Sequence, residues 1–99
     1  MDFRIERDRI GMKCYLSGRL DAAAMPQLTD ALGQLLNSGC SQALLDLGGV
    51  EYVGSSGITS LRQFHQNITS KGGSVSIVSC RPQVAEVFRV AQLDRLFNI

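Results

Sequence analysis

VEYVGSSGITSL, residues Val50 to Leu61, decides the fold. An apolar run with Val50, Tyr52 and Val53 stops at Gly54, two hydroxyls follow at Ser55 and Ser56, and beyond Gly57 apolar residues return at Ile58, Leu61, Phe64 and Ile68. Steps of three and four residues are the period of an amphipathic helix with one buried face. Gly54 and Gly57 permit backbone angles that side chains resist, and Ser is a favoured N-cap because its oxygen accepts an orphan helix N–H. The stretch therefore predicts strand, turn and helix, with Ser55 and Ser56 at the start of a helix from about Ser56 to Ser70 that Lys71, Gly72 and Gly73 end.

Upstream, Gln42 to Leu47 is too short for a globular helix and too continuously apolar for a half-exposed strand, which predicts a central strand covered on both faces, with Asp46 as its odd polar residue. Before it, a helix from about Asp21 to Asn37 places Met25, Leu28, Leu32, Leu35 and Leu36 on one side, with Asp21 as cap, Pro26 in the early turn and Gly39 as stop. Phe3–Glu6 and Met12–Ser17 alternate as two strands around a turn at Arg9–Gly11, and Gly18 to Asp21 closes this hairpin. Downstream, Ser74–Ser79 is an apolar strand, Pro82 starts a third helix with Val84, Val87, Phe88 and Ala91 on one face, and Leu93, Leu96, Phe97 and Ile99 form a last apolar segment. Strands alternating with helices imply parallel crossovers, so the expected architecture is a single α/β domain over residues 1–99. It has a mixed, mostly parallel sheet with an N-terminal β-hairpin and about three helices. Ligands of such sheets meet the loops at the carboxyl ends of the parallel strands, and the serine turn is one of these.

A chain of 99 residues with a net charge of +1 is one domain, able to bury roughly 60–70% of its unfolded surface. No run of Lys or Arg forms a basic stripe, which argues against nucleic acid, and no apolar run approaches the ~20 residues of a membrane span. The charged N-terminus MDFRIERDRI is unlike a signal peptide, so a cytoplasmic location is expected. Cys14, Cys40 and Cys80 lack paired spacing and His65 stands alone, so the thiols read as reduced and structural, with no metal site and no cofactor.

At the serine turn the catalytic patterns fail. A hydrolase elbow needs Gly two before and two after its Ser, which neither Ser55 nor Ser56 has, and GSSG has neither the length nor the Lys of a phosphate loop. His65 lies within the second helix, out of reach as a base, so no enzyme activity is expected. Two uses of the serines remain open: capping the helix, or accepting a phosphate. A phosphate adds about −1.5 to −2 charges, which a helix N-terminus tolerates. At the centre of a contact patch the same charge would cost on the order of 3–5 kcal/mol, or ~10²–10⁴ in affinity.

Five motifs in order, SGRLD at Ser17–Asp21, LLDLGGVEYV at Leu44–Val53, SSGITSL at Ser55–Leu61, KGGSVSIV at Lys71–Val78 and the closing VFRVAQLDRLFNI, carry a resemblance over nearly the whole chain. The sequence resembles the STAS family, the small domains of bacterial anti-sigma factor antagonists, also called anti-anti-sigma factors. The resemblance implies a STAS-like fold and a domain that binds an anti-sigma factor with serine kinase activity and so frees a sigma factor for transcription. It also implies phosphorylation at Ser55 within the family's D-S-[ST]-G turn, reversed by a metal-dependent serine phosphatase. Ser56 and Gly57 complete that turn, and Gly54 stands where the family carries Asp, which removes a carboxylate. Many members carry a further helix beyond the position of Ile99, so contacts here are expected to differ. Asp21 matches a family loop Asp beside the turn, where it either touches the partner or caps its helix. Tyr52 and Arg62 are candidates for the partner surface, whereas Leu32, Leu61, Phe64 and Phe88 fall on inward stripes.

The first expectation is thus a partner-switching module that docks through Asp21, Gly54, Ser55, Ser56, Gly57 and Arg62 and is switched off by phosphate on Ser55. The alternative is a non-switchable STAS adaptor subunit, for example of an ABC-type transporter ATPase. A nucleotide-binding domain ranks below both, since no phosphate loop or base-stacking aromatic is evident.

Overall fold

The computed structural model describes residues 1–97 and residue 99; Asn98, within the closing motif, lies outside the described residues. An antiparallel pair opens the chain: β1 (Asp2–Arg7) pairs with β2 (Met12–Leu20), from Asp2 opposite Ser17 to Arg7 opposite Met12. A tight turn closes them, the Asp8 N–H donating to the Gly11 carbonyl at 2.7 Å. A single 3-10 turn, Ala22–Ala24, then leads into α1 (Met25–Asn37). The chain continues as β3 (Gln42–Val53), α2 (Ser55–Ser70), β4 (Ser74–Cys80) and α3 (Pro82–Val90). The four strands lie in the order β1-β2-β3-β4, with β2, β3 and β4 mutually parallel. This is the expected mixed sheet, hairpin on one side and βα units on the other.

Two strands run further than the sequence predicts. β2 does not stop at Ser17: register shifts between Tyr15 and Ser17 and between Gly18 and Arg19 carry it on to Leu20, which pairs with Val53. Likewise β3 continues through Gly48 and Gly49 instead of ending at Leu47, because neighbouring side chains occupy the space a Cβ would need. On Gly49 a Cβ would stand 2.9 Å from the Ser17 Cβ. The two long parallel strands thereby reach the serine turn together.

β3 is also not covered on both faces. Ala43, Leu45 and Leu47 are buried while Leu44 and Asp46 are half-buried, the alternation of a strand with one face on the core. On that face Cys14, Leu16, Leu20, Leu45, Val50, Val75 and Ile77 meet Leu28 and Leu35 of α1, Leu61, Phe64 and Ile68 of α2, and Val84 and Phe88 of α3 in one core. The opposite face carries Arg4 and Lys13 over the Tyr15 ring, at 4.5 and 4.8 Å. Long polar side chains, not a second helix layer, cover the sheet there.

The closing segment splits between inside and outside. Leu93 and Phe97 are buried, Phe97 meeting Phe88 edge-to-face at 5.6 Å, while Leu96 and Ile99 are 40% and 43% exposed. Burying a Phe contributes about 1.5–3 kcal/mol, and the edge-to-face pair adds about 0.5–1.5. The Phe97 carbonyl also accepts from the Ile77 N–H at 2.9 Å, so this segment closes part of the free edge of β4.

Candidate functional site

The junction of β3 and α2 is built by backbone. Val53 is 4% exposed and anchors the end of β3 in the core. Gly54 stays extended at φ −89° and ψ 179°, and its N–H donates to the Leu20 carbonyl at 2.9 Å, prolonging the ladder between β2 and β3. Its own carbonyl accepts from the Ile58 N–H at 3.0 Å, which is the first helical hydrogen bond. Gly54 is therefore the N-cap, and α2 begins at Ser55, one residue earlier than the sequence predicts.

That one residue decides what the serines do. Ser55 and Ser56 occupy the first two helical positions, and α2 has no side-chain cap, so neither hydroxyl is used to hold the helix end. Ser55 is exposed and Ser56 half-buried. Gly57 is buried against the end of β2, where a Cβ would stand 2.8 Å from the Leu20 carbonyl oxygen. Only a residue without a side chain lets the first turn of α2 lie this close to the sheet.

Asp21 does cap, though not where expected. Its Oδ1 accepts from the Ala24 N–H at 3.2 Å and so closes the 3-10 turn, while α1 itself starts from Ala24 without a side-chain cap. Its Oδ2 lies 3.5 Å from Arg19 Nε. Arg19, missed by the sequence reading, sits opposite Tyr52 in the β2–β3 register and lays its guanidinium over the Tyr52 ring, 4.4 Å from the centroid. The ring in turn fills the space beside Gly54: a Cβ there would meet Tyr52 Cε2 and Oη at 3.3 Å. Only the register brings Arg19 and Tyr52 together, so no local sequence signal marks the pair.

On the other side of Ser55 a groove of about 470 Å³ opens between α2 and α3. Ser55, Ile58, Thr59 and Arg62 form one wall and Glu86, Val87, Val90 and Ala91 the other. Val87 and Ala91, expected on an inward stripe, are half-buried groove residues, and Val90 beside them is 70% exposed. Glu86 is bound by Arg89, whose Nε donates to Oε2 at 2.9 Å, and this hydrogen bond holds the carboxyl below its usual range. Arg62 makes no ion pair among the described residues.

Asp21, Gly54, Ser55, Ser56 and Gly57 thus lie at the carboxyl ends of β2 and β3, while Arg62 stands further along α2 and meets Ser55 only as part of one groove wall. Leu32, Leu61, Phe64 and Phe88 are buried in the core as expected. His65 points to Phe97, the rings edge-to-face at 5.5 Å. Cys14, Cys40 and Cys80 are free thiols; Cys14 is fully buried, which pushes its pKa up to about 12. Among the described residues no helix is long and apolar enough to cross a membrane.

Comparison with known proteins agrees with this architecture. The family model described as Mlab, STAS domain, matches residues 3–98. BtrV of Bordetella bronchiseptica, named as a candidate anti-sigma factor antagonist, is 25% identical over 84 residues, covering 85% of this chain and 72% of BtrV. An anti-sigma factor antagonist from Mycobacterium paratuberculosis superposes with a TM-score of 0.86 at 23% identity, over 97% of this chain and 81% of that one. The unphosphorylated anti-sigma factor antagonist SpoIIAA superposes with a TM-score of 0.81 at 18% identity, over 96% of this chain and 84% of SpoIIAA. With four strands in this order, an opening hairpin, three helices and a family match across nearly all its length, the chain belongs to the STAS domain family.

Proposed function

We propose that this protein is an anti-sigma factor antagonist, a regulator rather than an enzyme, whose docking on a serine-kinase anti-sigma factor is switched off by phosphate on Ser55. The observation that carries this reading is the state of the Ser55 side chain: exposed, at the first position of α2, and free of any capping duty. A hydroxyl in that position can enter another protein's active site without the helix losing a hydrogen bond. BtrV and SpoIIAA bear names of the same class, and SpoIIAA is known in a phosphorylated form, to which this chain superposes with a TM-score of 0.73.

The docking face comprises Asp21, Gly54, Ser55, Ser56 and Arg62, continued by the apolar groove; Gly57, expected on this face, is buried beneath it and holds the turn against β2. Phosphate at its centre would have to be desolvated or meet like charge, at a cost on the order of 3–5 kcal/mol to binding. A metal-dependent serine phosphatase would reset the switch, all in the cytoplasm. Intact mass after incubation with ATP and each serine-kinase anti-sigma protein of the source cell, followed by mapping of the modified residue, tests this directly. A single phosphate on Ser55 is the expected result. Gly54, which leaves the turn without a carboxylate, favours a second reading: a constitutive adaptor, for example on a transporter ATPase. No phosphate with any of the kinases would favour that one instead.

A further inference from the structure

The outer edge of β1 is unpaired. β1 ends the strand order, and among the described residues no backbone hydrogen bond beyond the β1–β2 ladder reaches residues 2–7. The other edge differs, since the Ile77 N–H of β4 already donates to the Phe97 carbonyl. The hairpin decides which groups β1 leaves open. The Asp8 N–H donates to the Gly11 carbonyl, and from there the ladder runs to Asp2 opposite Ser17 without a register shift. Hydrogen-bonded and non-bonded pairs alternate along such a ladder, so Glu6, Arg4 and Asp2 turn their backbone groups to β2. Phe3, Ile5 and Arg7 turn theirs outward. Side chains alternate as well: Phe3 and Ile5 are half-buried against the core, while Arg4 and Glu6 stand exposed on the open face, 3.1 Å apart.

We propose that β1 is a self-association edge, on which two copies of this chain pair antiparallel about a two-fold axis at Ile5. This register sets Phe3 opposite Arg7 and Ile5 opposite itself, so the outward N–H and carbonyl groups of all of them are exchanged across the axis. It also sets Arg4 opposite Glu6 of the second copy, twice by symmetry. Charges on an edge strand ordinarily keep another edge away. Here they select one register. An axis at Arg4 would set Arg4 against Arg4 and Asp2 against Glu6, an axis at Glu6 would set Glu6 against Glu6, and an axis between residues would oppose outward groups to groups already spent in the β1–β2 ladder. The like pair left in the Ile5 register, Asp2 opposite Asp8, lies at its ends, where Asp8 accepts from the Arg9 N–H. Because the joined strands run antiparallel, the β3–α2 turns of the two copies fall at opposite ends of the combined sheet and stay uncovered. A strand pair this short is a small interface, so association is weak and concentration-dependent.

The inference does not depend on modification of Ser55. Sedimentation equilibrium of the full chain from ~10 µM to ~1 mM measures it, the range that suits a contact below standard interface size. A reversible dimer is expected, with amide exchange at Phe3, Ile5 and Arg7 slowing as concentration rises. Glu6→Arg and Arg4→Glu should each weaken dimerisation about tenfold or more, because both symmetric pairs become like-charged together. Mixed in equal amounts, the two variants should associate with each other, since every Arg4–Glu6 position across the axis then carries opposite charges. Recovery on mixing separates the register from any loss of folding. A chain that is monomeric over the whole range, a dimer unchanged by Glu6→Arg, or no recovery on mixing would overturn the proposal.

Discussion

Two Gly→Ala substitutions in helices should have opposite effects, and the pair tests whether the serine turn is set by close packing. On Gly57 a Cβ would stand 2.8 Å from the Leu20 carbonyl oxygen, 3.1 Å from the Leu20 Cβ and 3.2 Å from Val53 Cγ1. The carbonyl cannot retreat freely, since it also accepts from the Gly54 N–H at 2.9 Å. The first turn of α2 must lift instead. Overpacking of this kind costs about 1–3 kcal/mol, against at most about 1 kcal/mol that Ala returns in helix propensity. With the full return the net loss is up to about 2 kcal/mol, a fall in Tm of up to roughly 16 °C for a domain of this size. On Gly33, within α1, a Cβ meets nothing within 4 Å, so Gly33→Ala should stabilise by about 0.5–1 kcal/mol. Urea unfolding followed by circular dichroism at 222 nm measures both. A Gly57→Ala midpoint at or above that of the parent would refute the argument that this glycine sets the approach of α2 to β2.

Further predictions concern the proposed switch, a strained turn and a buried thiol. Ser55→Ala and Ser55→Asp should both fold, the Asp variant equal to or a few tenths of a kcal/mol above the parent because its charge faces the α2 N-terminus; by calorimetry in the anti-sigma partner's presence, only the Asp variant should lose affinity. Gln92 follows α3 at φ 60°, where the Leu93 N–H closes back on the Phe88 carbonyl at 2.8 Å, so Gln92→Gly should stabilise by about 0.5–1 kcal/mol in urea unfolding. Burial raises the Cys14 thiol to about 12, whereas in the unfolded chain it ionises near ~8.5. Its contribution to stability is therefore complete below that lower value and lost as pH climbs toward the upper one, by at most about 1.4 kcal/mol per pH unit. Cys14→Ala should start about 1 kcal/mol less stable at pH 8 yet decline less steeply up to pH 10.5, and parallel slopes would contradict the burial argument.

Periodicity made the three helices legible, because each has one greasy stripe: Leu28, Leu32 and Leu35 in α1, Leu61, Phe64 and Ile68 in α2, Val84 and Phe88 in α3. The strand ends were not legible. Gly48 and Gly49 read as the end of a strand, whereas across the sheet they lie close against Ser79 and Ser17; Gly18 read as the close of the hairpin, whereas it continues β2 at φ 95°. The capping roles failed for a related reason. Ser is a good cap in isolation, but the Leu20 carbonyl keeps Gly54 extended and so makes Gly54 the cap. Likewise Arg19 beside Tyr52 follows from a register established by residues far off in sequence, and the groove at Val90 from how α3 lies against α2.

The same geometry would separate the proposed switch from the fold. Everything that holds the turn is backbone or buried: the Gly54 N–H on Leu20, the Gly54 carbonyl on Ile58, the close fit at Gly57, and Val53 and Leu61 in the core. The Ser55 hydroxyl takes part in none of these, so a charge attached there leaves each of them intact. Helix dipole and exposed N–H groups act in its favour, by about 0.3–1 kcal/mol. The free energy of the proposed modification would therefore fall on a partner docked over the turn rather than on unfolding. A hydroxyl that capped α2 would have tied the two together, since modifying it would have removed a hydrogen bond worth about 1 kcal/mol from the helix end. With the cap on Gly54, the proposed phosphate on Ser55 would change a binding surface while the domain beneath it stays folded.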